Sequence, residues 1–311
     1  MPRRPRLMGV VNVTPDSFSD GGRFLAPQSA IDQALRLIEE GADLIDLGAE
    51  STRPGGSVYG AGAQEVEARE ELARLLPVLS GLRRQSPIPI SVDTRKALVA
   101  RAALDAGADL LNDVSGLEDP ETATLAARTG CPVVLMHHQG IFQRPWSADE
   151  GRVSETPGTL GPAGAGGRLV EQVRAGLAAM LARALAAGCR REQIVLDPGL
   201  GFGKLGRQNL ELLGRLGNPA GLAALGRPIL VGASRKSFLA SASAARHAAP
   251  PPPPAERLPE SLAAAAWAAA GGAAILRVHD VGATRRFLAA WTAIDDCGTT
   301  AGNADREEIP A

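Results

Sequence analysis

Short apolar runs alternate with amphipathic helical patterns along almost the whole chain. The helical segments lie between the runs and several end in Gly, as "AIDQALRLIEEG" and "ALVARAALDAG" do, which is typical of helix C-termini. Eight strand–helix alternations favour an α/β fold, a single (β/α)8 TIM barrel, over an open doubly wound sheet. Eight apolar runs have the length and Leu/Ile/Val content of buried parallel strands: residues 7–11, 44–47, 88–92, 110–111, 133–136, 194–196, 229–231 and 275–278.

A weak internal repeat supports one continuous domain. The segments "GADLIDLG", "GADLLNDV" and "GAAILRVH" each combine a helix end, Gly-Ala and a strand. We therefore predict one barrel domain over residues 1–296, and a polar, disordered tail over residues 297–311. Gly- and Pro-rich stretches at 48–62 and 140–167, with the proline run near residue 250, predict long loops.

Composition and charge exclude several classes of protein. The 311 residues are 45% hydrophobic, enough for a full core, and the net charge of -1 gives no field to recruit nucleic acid or anionic lipid. The first apolar run is too short for a signal peptide or a membrane span, so we expect a cytoplasmic protein without a membrane partner. Cys131, Cys189 and Cys297 are odd in number and form no CxxC pair, which indicates neither a disulfide framework nor a zinc site.

Polar side chains follow the apolar runs at the same end. In a (β/α)8 barrel the chemistry lies at the C-terminal ends of the strands, so this one-sided distribution predicts an active site there. The polar residues at these ends are Asn12, Glu50, Ser51, Thr52, Arg53, Asp93, Asn112, Asp113, His137, Asp197, Ser234, Arg235, Lys236, His279 and Asp280.

Lysine is rare, and its three positions are informative. Of the 33 basic Lys and Arg residues only Lys96, Lys204 and Lys236 are lysines, and all three lie beside predicted strand ends. This bias indicates places where a compact ammonium is needed instead of the planar fork of Arg. The segment "GLGFGK" around Lys204 is one residue too short for a nucleotide-binding P-loop.

Eight motifs occur in the order typical of one enzyme family. They are "MGVVNVTPDSFSDGG", "DLGAESTRPG", "PISVDTRK", "LLNDVSG", "VVLMHHQG", "IVLDPGLGFGK", "ILVGASRKSF" and "LRVHDV". Together they resemble the dihydropteroate synthases, folate-pathway enzymes that sulfonamides inhibit. The resemblance implies a homodimer that condenses 6-hydroxymethyl-7,8-dihydropterin diphosphate with 4-aminobenzoate in the presence of Mg2+, giving 7,8-dihydropteroate and pyrophosphate.

The resemblance assigns a pterin pocket. A pterin edge presents an amine and a ring N–H side by side, which suits the two oxygens of a carboxylate, by resemblance Asp197. Asp93 would also stabilise a developing pterin cation. A structural interpretation, the N-cap of the helix that follows, is compatible with that role. The pterin-binding residues are Asp93, Asn112, Met136, Asp197 and Lys236.

The other subsites are also assigned by resemblance. Thr52, Arg277 and His279 would bind the diphosphate, and the side-chain oxygen of Asn12 would be a ligand of Mg2+. Asp93, Lys236, Arg277 and His279 form the predicted catalytic set. The predicted aminobenzoate residues are Thr52, Arg53, Phe202 and Ser237.

Four further residues near the strand ends are expected to have supporting roles. We interpret Asp46 and Glu50 as supports of the site. His137 and His138 are adjacent, so on a strand they face opposite ways and cannot chelate one metal.

Two alternative functions are also compatible with the sequence. A methyltransferase that passes a methyl group from methyltetrahydrofolate to a corrinoid protein would share the barrel and pterin pocket, but would not need Arg277 and His279. A paralogue that binds pterin without turnover is the second alternative. The chain departs from the family pattern in "GAEST", where "GGEST" is more usual, and in the long segment after "MHHQG".

Overall fold

Eight strands and nine helices alternate in the described part of the chain. This computed structural model describes residues 4–13, 25–50, 66–138, 165–204, 206–247 and 249–304. The strands are β1 (Arg6–Asn12), β2 (Leu44–Gly48), β3 (Ile90–Asp93), β4 (Leu110–Asp113), β5 (Val133–Met136), β6 (Ile194–Asp197), β7 (Leu230–Val231) and β8 (Ile275–Val278). The helices are α1 (Leu25–Glu39), α2 (Ala68–Gln85), α3 (Ala97–Asp105), α4 (Pro120–Thr129), α5 (Ala165–Ala186), α6 (Gly206–Gly214), α7 (Ser237–His247), α8 (Leu258–Ala270) and α9 (Val281–Ala304).

The strands form one parallel barrel. Seven parallel ladders give the order β6-β5-β4-β3-β2-β1-β8-β7. The remaining gap is closed by a parallel bridge between Leu196 and Ile229, and the Leu196 amide donates to the Pro228 carbonyl across 2.9 Å. The predicted (β/α)8 barrel is confirmed.

Side chains inside the barrel change from apolar to charged along the strands. A lower layer packs seven side chains that are separate from the core between sheet and helices: Met8, Leu44, Leu110, Val134, Val195, Leu230 and Ile275. Two residues further along, the inward positions are occupied by Asp46, Asn112, Met136, Asp197 and Arg277. Because side chains alternate between the two faces of a strand, the inner face carries both layers. The apolar layer closes the barrel beneath the charged layer.

Several element boundaries differ from the sequence predictions. The predicted run at 88–92 begins as a strand only at Ile90, after Pro89, which has no N–H to donate to a ladder. The last helix, α9, continues to Ala304, past the predicted domain boundary at 297. The proline run ends in a short 3-10 turn, Pro254–Glu256. None of the helices in the described ranges is both long and apolar enough to cross a membrane.

Candidate active site

A network of ion pairs occupies the C-terminal mouth of the barrel. The Arg277 Nε donates to Asp46 Oδ2 across 2.7 Å, and its NH2 group donates to Asp93 Oδ2 across 3.1 Å. The Asn112 amide donates to the same Asp46 oxygen across 3.2 Å. These residues come from β8, β2, β3 and β4, which lie in one continuous stretch of the sheet with β1 between β8 and β2. The network therefore depends on the parallel pairing of strands that are far apart in the sequence.

Burial sets the electrostatics of this network. Burial raises the pKa of Asp93 to about 8, against the attraction of Arg277 and with a further rise caused by Asp46. Burial opposes the charge of Arg277, but Asp46 and Asp93 together raise the pKa of its guanidinium. Asp46 is fully buried, and its Oδ1 has no hydrogen-bond partner among the described residues. The mouth thus holds a fixed cation beside a buried acceptor.

Asp93 is not the N-cap of the following helix. The helix α3 begins at Ala97, and its N-cap is Lys96, whose side chain makes no capping bond. The alternative structural interpretation of Asp93 is therefore wrong, because the side chain turns into the barrel and pairs with Arg277.

The loop after β6 brings a second carboxylate to the mouth. Asp197 ends β6, and its Oδ1 accepts from the Gly199 amide across 2.7 Å. Burial raises the pKa of Asp197, while the nearby charge of Lys236 opposes that rise. Gly199 has a φ of +63°, and a Cβ there would lie 1.9 Å from the His137 carbonyl oxygen, so only glycine fits this turn.

Lys236 lies over the same loop. Its ammonium donates to the Leu200 carbonyl and is 4.7 Å from the centroid of the Phe202 ring, a cation–π contact. Met136 is buried at the end of β5, in register with Asp197. The loop after β6 and the loop after β7 therefore meet at Lys236.

The residues predicted for the diphosphate subsite differ in their contacts. His279 follows β8, and its Nδ1 and backbone N both lie near Ser234 Oγ, at 3.1 and 3.2 Å. Arg277 precedes it by two positions but is held by the two carboxylates described above. Ser237 is the first residue of α7, so its backbone N–H belongs to a helix N-terminus.

Asn12 suits a hard cation that keeps most of its waters. It is half-buried at the end of β1, paired with Gly48, which pairs in turn with Asp93. Within the described ranges no group of three or more His, Cys, Asp or Glu side chains could hold a metal. A single amide oxygen at the mouth fits Mg2+, which is usually bound through few protein ligands together with substrate phosphates and water.

Comparison with known proteins agrees with this geometry. The model of the pterin binding enzyme family matches residues 8–279. The dihydropteroate synthase of Haemophilus influenzae is 38% identical over 289 residues, which cover 93% of this chain and 94% of the relative. The synthase of Synechocystis is 42% identical over 238 residues, 76% of this chain and 74% of that protein.

This chain belongs to the dihydropteroate synthase family.

Solved structures of dihydropteroate synthases show the same architecture. The enzyme of Xanthomonas albilineans with 4-aminobenzoic acid has a TM-score of 0.78 at 40% identity, and 94% of each chain is covered. The same enzyme in complex with 7,8-dihydropteroate gives a TM-score of 0.75 at 38% identity, with 95% of each chain covered. The family and the enzyme class that the sequence predicted are confirmed.

Some predicted site residues lie outside the described part of this dihydropteroate synthase family member. Thr52 and Arg53, together with the polar segment 14–24 that follows the first strand, fall in ranges that the structure does not describe. The assignment of Thr52 to both the diphosphate and the aminobenzoate subsites, and of Arg53 to the latter, stays a prediction.

Two of the three lysines have contacts that the sequence did not indicate. Lys96 donates to Glu50 and Glu71 across 2.9 and 2.6 Å, and the Glu71 side chain is completely buried. Lys204 donates only to backbone carbonyls among the contacts described. Lys236, in contrast, contacts the Leu200 carbonyl and the Phe202 ring at the mouth of the barrel.

The sequence analysis did not predict the contacts of Asp46 or the burial of His137 and His138. Asp46 was interpreted as a support, yet it is the hydrogen-bond partner of both Arg277 and Asn112. Its signal was present, since Asp46 follows Leu44 by two positions and must share its inward face. His137 and His138 are buried, and burial lowers the pKa of His137 to about 3.

Proposed function

We propose that this chain condenses 6-hydroxymethyl-7,8-dihydropterin diphosphate with 4-aminobenzoate. The bond that forms joins the amine nitrogen to the pterin methylene carbon, the bond that breaks joins that carbon to pyrophosphate, and the amine loses a proton. The observation that carries the proposal is the charged inner layer above the apolar floor. There Arg277 is bonded to Asp93, Asn112 is bonded to Asp46, and the charges of Lys236 and Arg277 act on Asp197.

The pterin ring fits the donors and acceptors of this layer. Asp197 would accept from the exocyclic amine and the neighbouring ring N–H, while Lys236 donates from the opposite side. Asn112 faces the ring from β4. The open acceptor Asp46 Oδ1 would gain a donor from the ring or from Asn112, which removes the cost of a buried unpaired oxygen.

Pyrophosphate leaves from the side of Arg277 and His279. We propose a dissociative order, in which the carbon–oxygen bond breaks before the amine attacks. Asp93, once ionised, stabilises the positive charge that develops on the methylene. Mg2+, held by Asn12, the diphosphate and water, would supply neutralisation of the leaving group when bound.

The aminobenzoate would occupy the outer part of the mouth. The Phe202 ring offers an apolar face, and the N-terminus of α7 at Ser237 offers a hydroxyl and a backbone N–H to the carboxylate. Thr52 and Arg53 are proposed to complete this subsite.

The decisive experiment is the release of pyrophosphate by the purified protein. We expect release to require 4-aminobenzoate, the pterin diphosphate and Mg2+ together, and aminobenzoate to bind weakly in calorimetry until the pterin and pyrophosphate are present. Tight pterin binding without pyrophosphate release would support a paralogue that binds pterin without turnover. Methyl transfer from methyltetrahydrofolate to a corrinoid protein would support the methyltransferase.

We further propose that the protein is a cytoplasmic homodimer. Trp267 on α8 and Ile294 on α9 are 59% and 73% exposed, which is unusual for large apolar side chains and suits burial against a second copy. Cys131, Cys189 and Cys297 form no disulfide with one another, as is typical of a reducing compartment. Sedimentation should give twice the mass of one chain, and Trp267→Glu should halve it.

A further inference from the structure

The loop after β6 is built around one buried ammonium. Lys204 is 1% exposed, and its Nζ donates to three backbone carbonyls: Gly199 across 2.8 Å, His137 across 3.0 Å and Phe202 across 3.2 Å. An ammonium has three N–H donors, so these carbonyls use all of them. The contacts fold the loop back on itself and tie it to the end of β5.

A second side chain fixes the loop from the direction of α6. The Asn209 amide donates to the Lys204 carbonyl across 3.0 Å, and its oxygen accepts from the Gly201 amide across 2.6 Å. Asn209 is also buried. Between them, Lys204 and Asn209 bind four backbone groups of residues 199–204.

The opposite side of the loop faces the site. The Gly199 amide donates to Asp197, the Leu200 carbonyl accepts from Lys236, and the Phe202 ring lies under the Lys236 ammonium. Three groups that contact the charged layer therefore depend on one backbone conformation.

We propose that Lys204 is a positioning residue for the aminobenzoate subsite, whose ammonium holds three carbonyls at once and so fixes Phe202 and the Leu200 carbonyl beneath Lys236. This inference rests on the proposed function, because it assigns the aminobenzoate to the Phe202 face. Lys204 itself touches neither substrate.

The chemistry of the site explains why lysine occupies this position. Arg presents a planar fork, whereas three converging carbonyls require a compact donor. The titratable groups facing Lys204 are Asp197 from β6, Lys236 from the loop after β7, and His137 and His138 after β5. Burial lowers the pKa of Lys204 to about 7, against the attraction of Asp197. A neutral amine keeps two N–H groups, so one carbonyl loses its donor above that pH.

The test compares Lys204→Met with a matched core variant. Met keeps most of the apolar stem and deletes the donors. The control, Leu82→Ala, truncates a buried side chain near the C-terminal end of α2, the end that leads to the start of β3 and not to the mouth. Both variants are first compared by thermal unfolding. For Lys204→Met we expect the KM for 4-aminobenzoate to rise about tenfold or more, with a smaller change in the KM for the pterin diphosphate. Leu82→Ala should leave both KM values near those of the wild type.

A measurement on the wild-type protein keeps the proposal testable if Lys204→Met does not fold. The KM for 4-aminobenzoate should rise as the pH increases through about 7, and in a folded Lys204→Met this rise should disappear. An unchanged KM in Lys204→Met with only a lowered melting temperature would overturn the positioning role. So would a wild-type KM that is flat between pH 6 and 9. If the wild type releases no pyrophosphate at all, the proposed function fails instead.

Discussion

The Arg277 guanidinium donates to Asp46 across 2.7 Å, although the two residues are 231 positions apart in the chain. Their strands, β8 and β2, flank β1 on its two sides, so the ion pair spans β1. The same guanidinium also holds Asp93. A diphosphate must therefore compete with two carboxylates for Arg277, and this competition governs the first prediction.

Replacing Arg277 by Met should impair both stability and turnover. The variant leaves two buried carboxylates without their cation, and breaking a buried ion pair by removing one partner destabilises by about 3–5 kcal/mol. Turnover should fall by at least about 10²-fold, as expected for one deleted transition-state donor. Urea unfolding and pyrophosphate release measure the two effects separately.

The double variant Arg277→Met with Asp46→Asn separates these roles. It removes one of the stranded charges, so part of the stability should return while turnover stays low. If turnover returned together with stability, Arg277 would serve only to neutralise Asp46, and its assignment to the diphosphate would be wrong.

Replacing Asp197 by Asn should impair pterin binding without unfolding the barrel. Two charge-assisted hydrogen bonds are lost, each worth about 1.5–3 kcal/mol, so kcat/KM should fall by about 10²-fold or more. Asn keeps the oxygen that accepts from the Gly199 amide, so the turn is retained. Near wild-type pterin affinity in calorimetry would exclude Asp197 from the pocket.

The contribution of Asp93 to the free energy of unfolding should decrease from about pH 4 to about pH 8. Its folded pKa is raised to about 8, whereas an unfolded Asp titrates near 4, so in this window the folded state binds a proton that the unfolded state has released. Stability that is present below the unfolded pKa is thus lost as pH rises through the folded pKa. Asp93→Asn should remove this contribution, and equal pH slopes in chemical unfolding of the two proteins would contradict the assignment.

The proline run should influence the active site through Arg257. This side chain is 2% exposed, and it donates to the Pro252 carbonyl across 2.8 Å and to the Arg235 carbonyl across 3.0 Å. Arg235 directly precedes Lys236. Arg257→Met would leave these carbonyls without that donor, which we expect to lower the free energy of unfolding by about 1–3 kcal/mol.

A functional effect should accompany the loss of stability in this variant. The loop that carries Lys236 would lose the hydrogen bond from Arg257 to the Arg235 carbonyl, so kcat/KM should fall as well. Arg257→Lys, which keeps the charge, is the matched control and should be affected less. Full activity of Arg257→Met in the pyrophosphate assay would show that the hydrogen bonds of Arg257 stabilise the fold without affecting the active site.

The sequence determined the architecture because each strand–helix unit of the barrel is a short local pattern that repeats along the chain. Each strand is an apolar run with a helix after it, and the order of polar residues such as Asn12, Asp93 and Asp197 at the run ends indicated which end carries the chemistry. The motif order added the family. These properties depend on residues close together in the chain, so pattern alone can express them.

The tertiary structure decided which polar residues face one another. From the sequence, Asp93 could be a helix cap as well as a pocket residue, and Asp46 was assigned only a supporting role. No local pattern shows that Arg277 donates to both carboxylates. The sequence also placed Lys96, Lys204 and Lys236 together as one class, whereas Lys96 pairs with carboxylates, Lys204 is buried among three carbonyls, and Lys236 contacts one carbonyl and the Phe202 ring. The sequence specifies the charge of each side chain. Its partners depend on strand pairing in the barrel, which brings together residues that are far apart in the sequence.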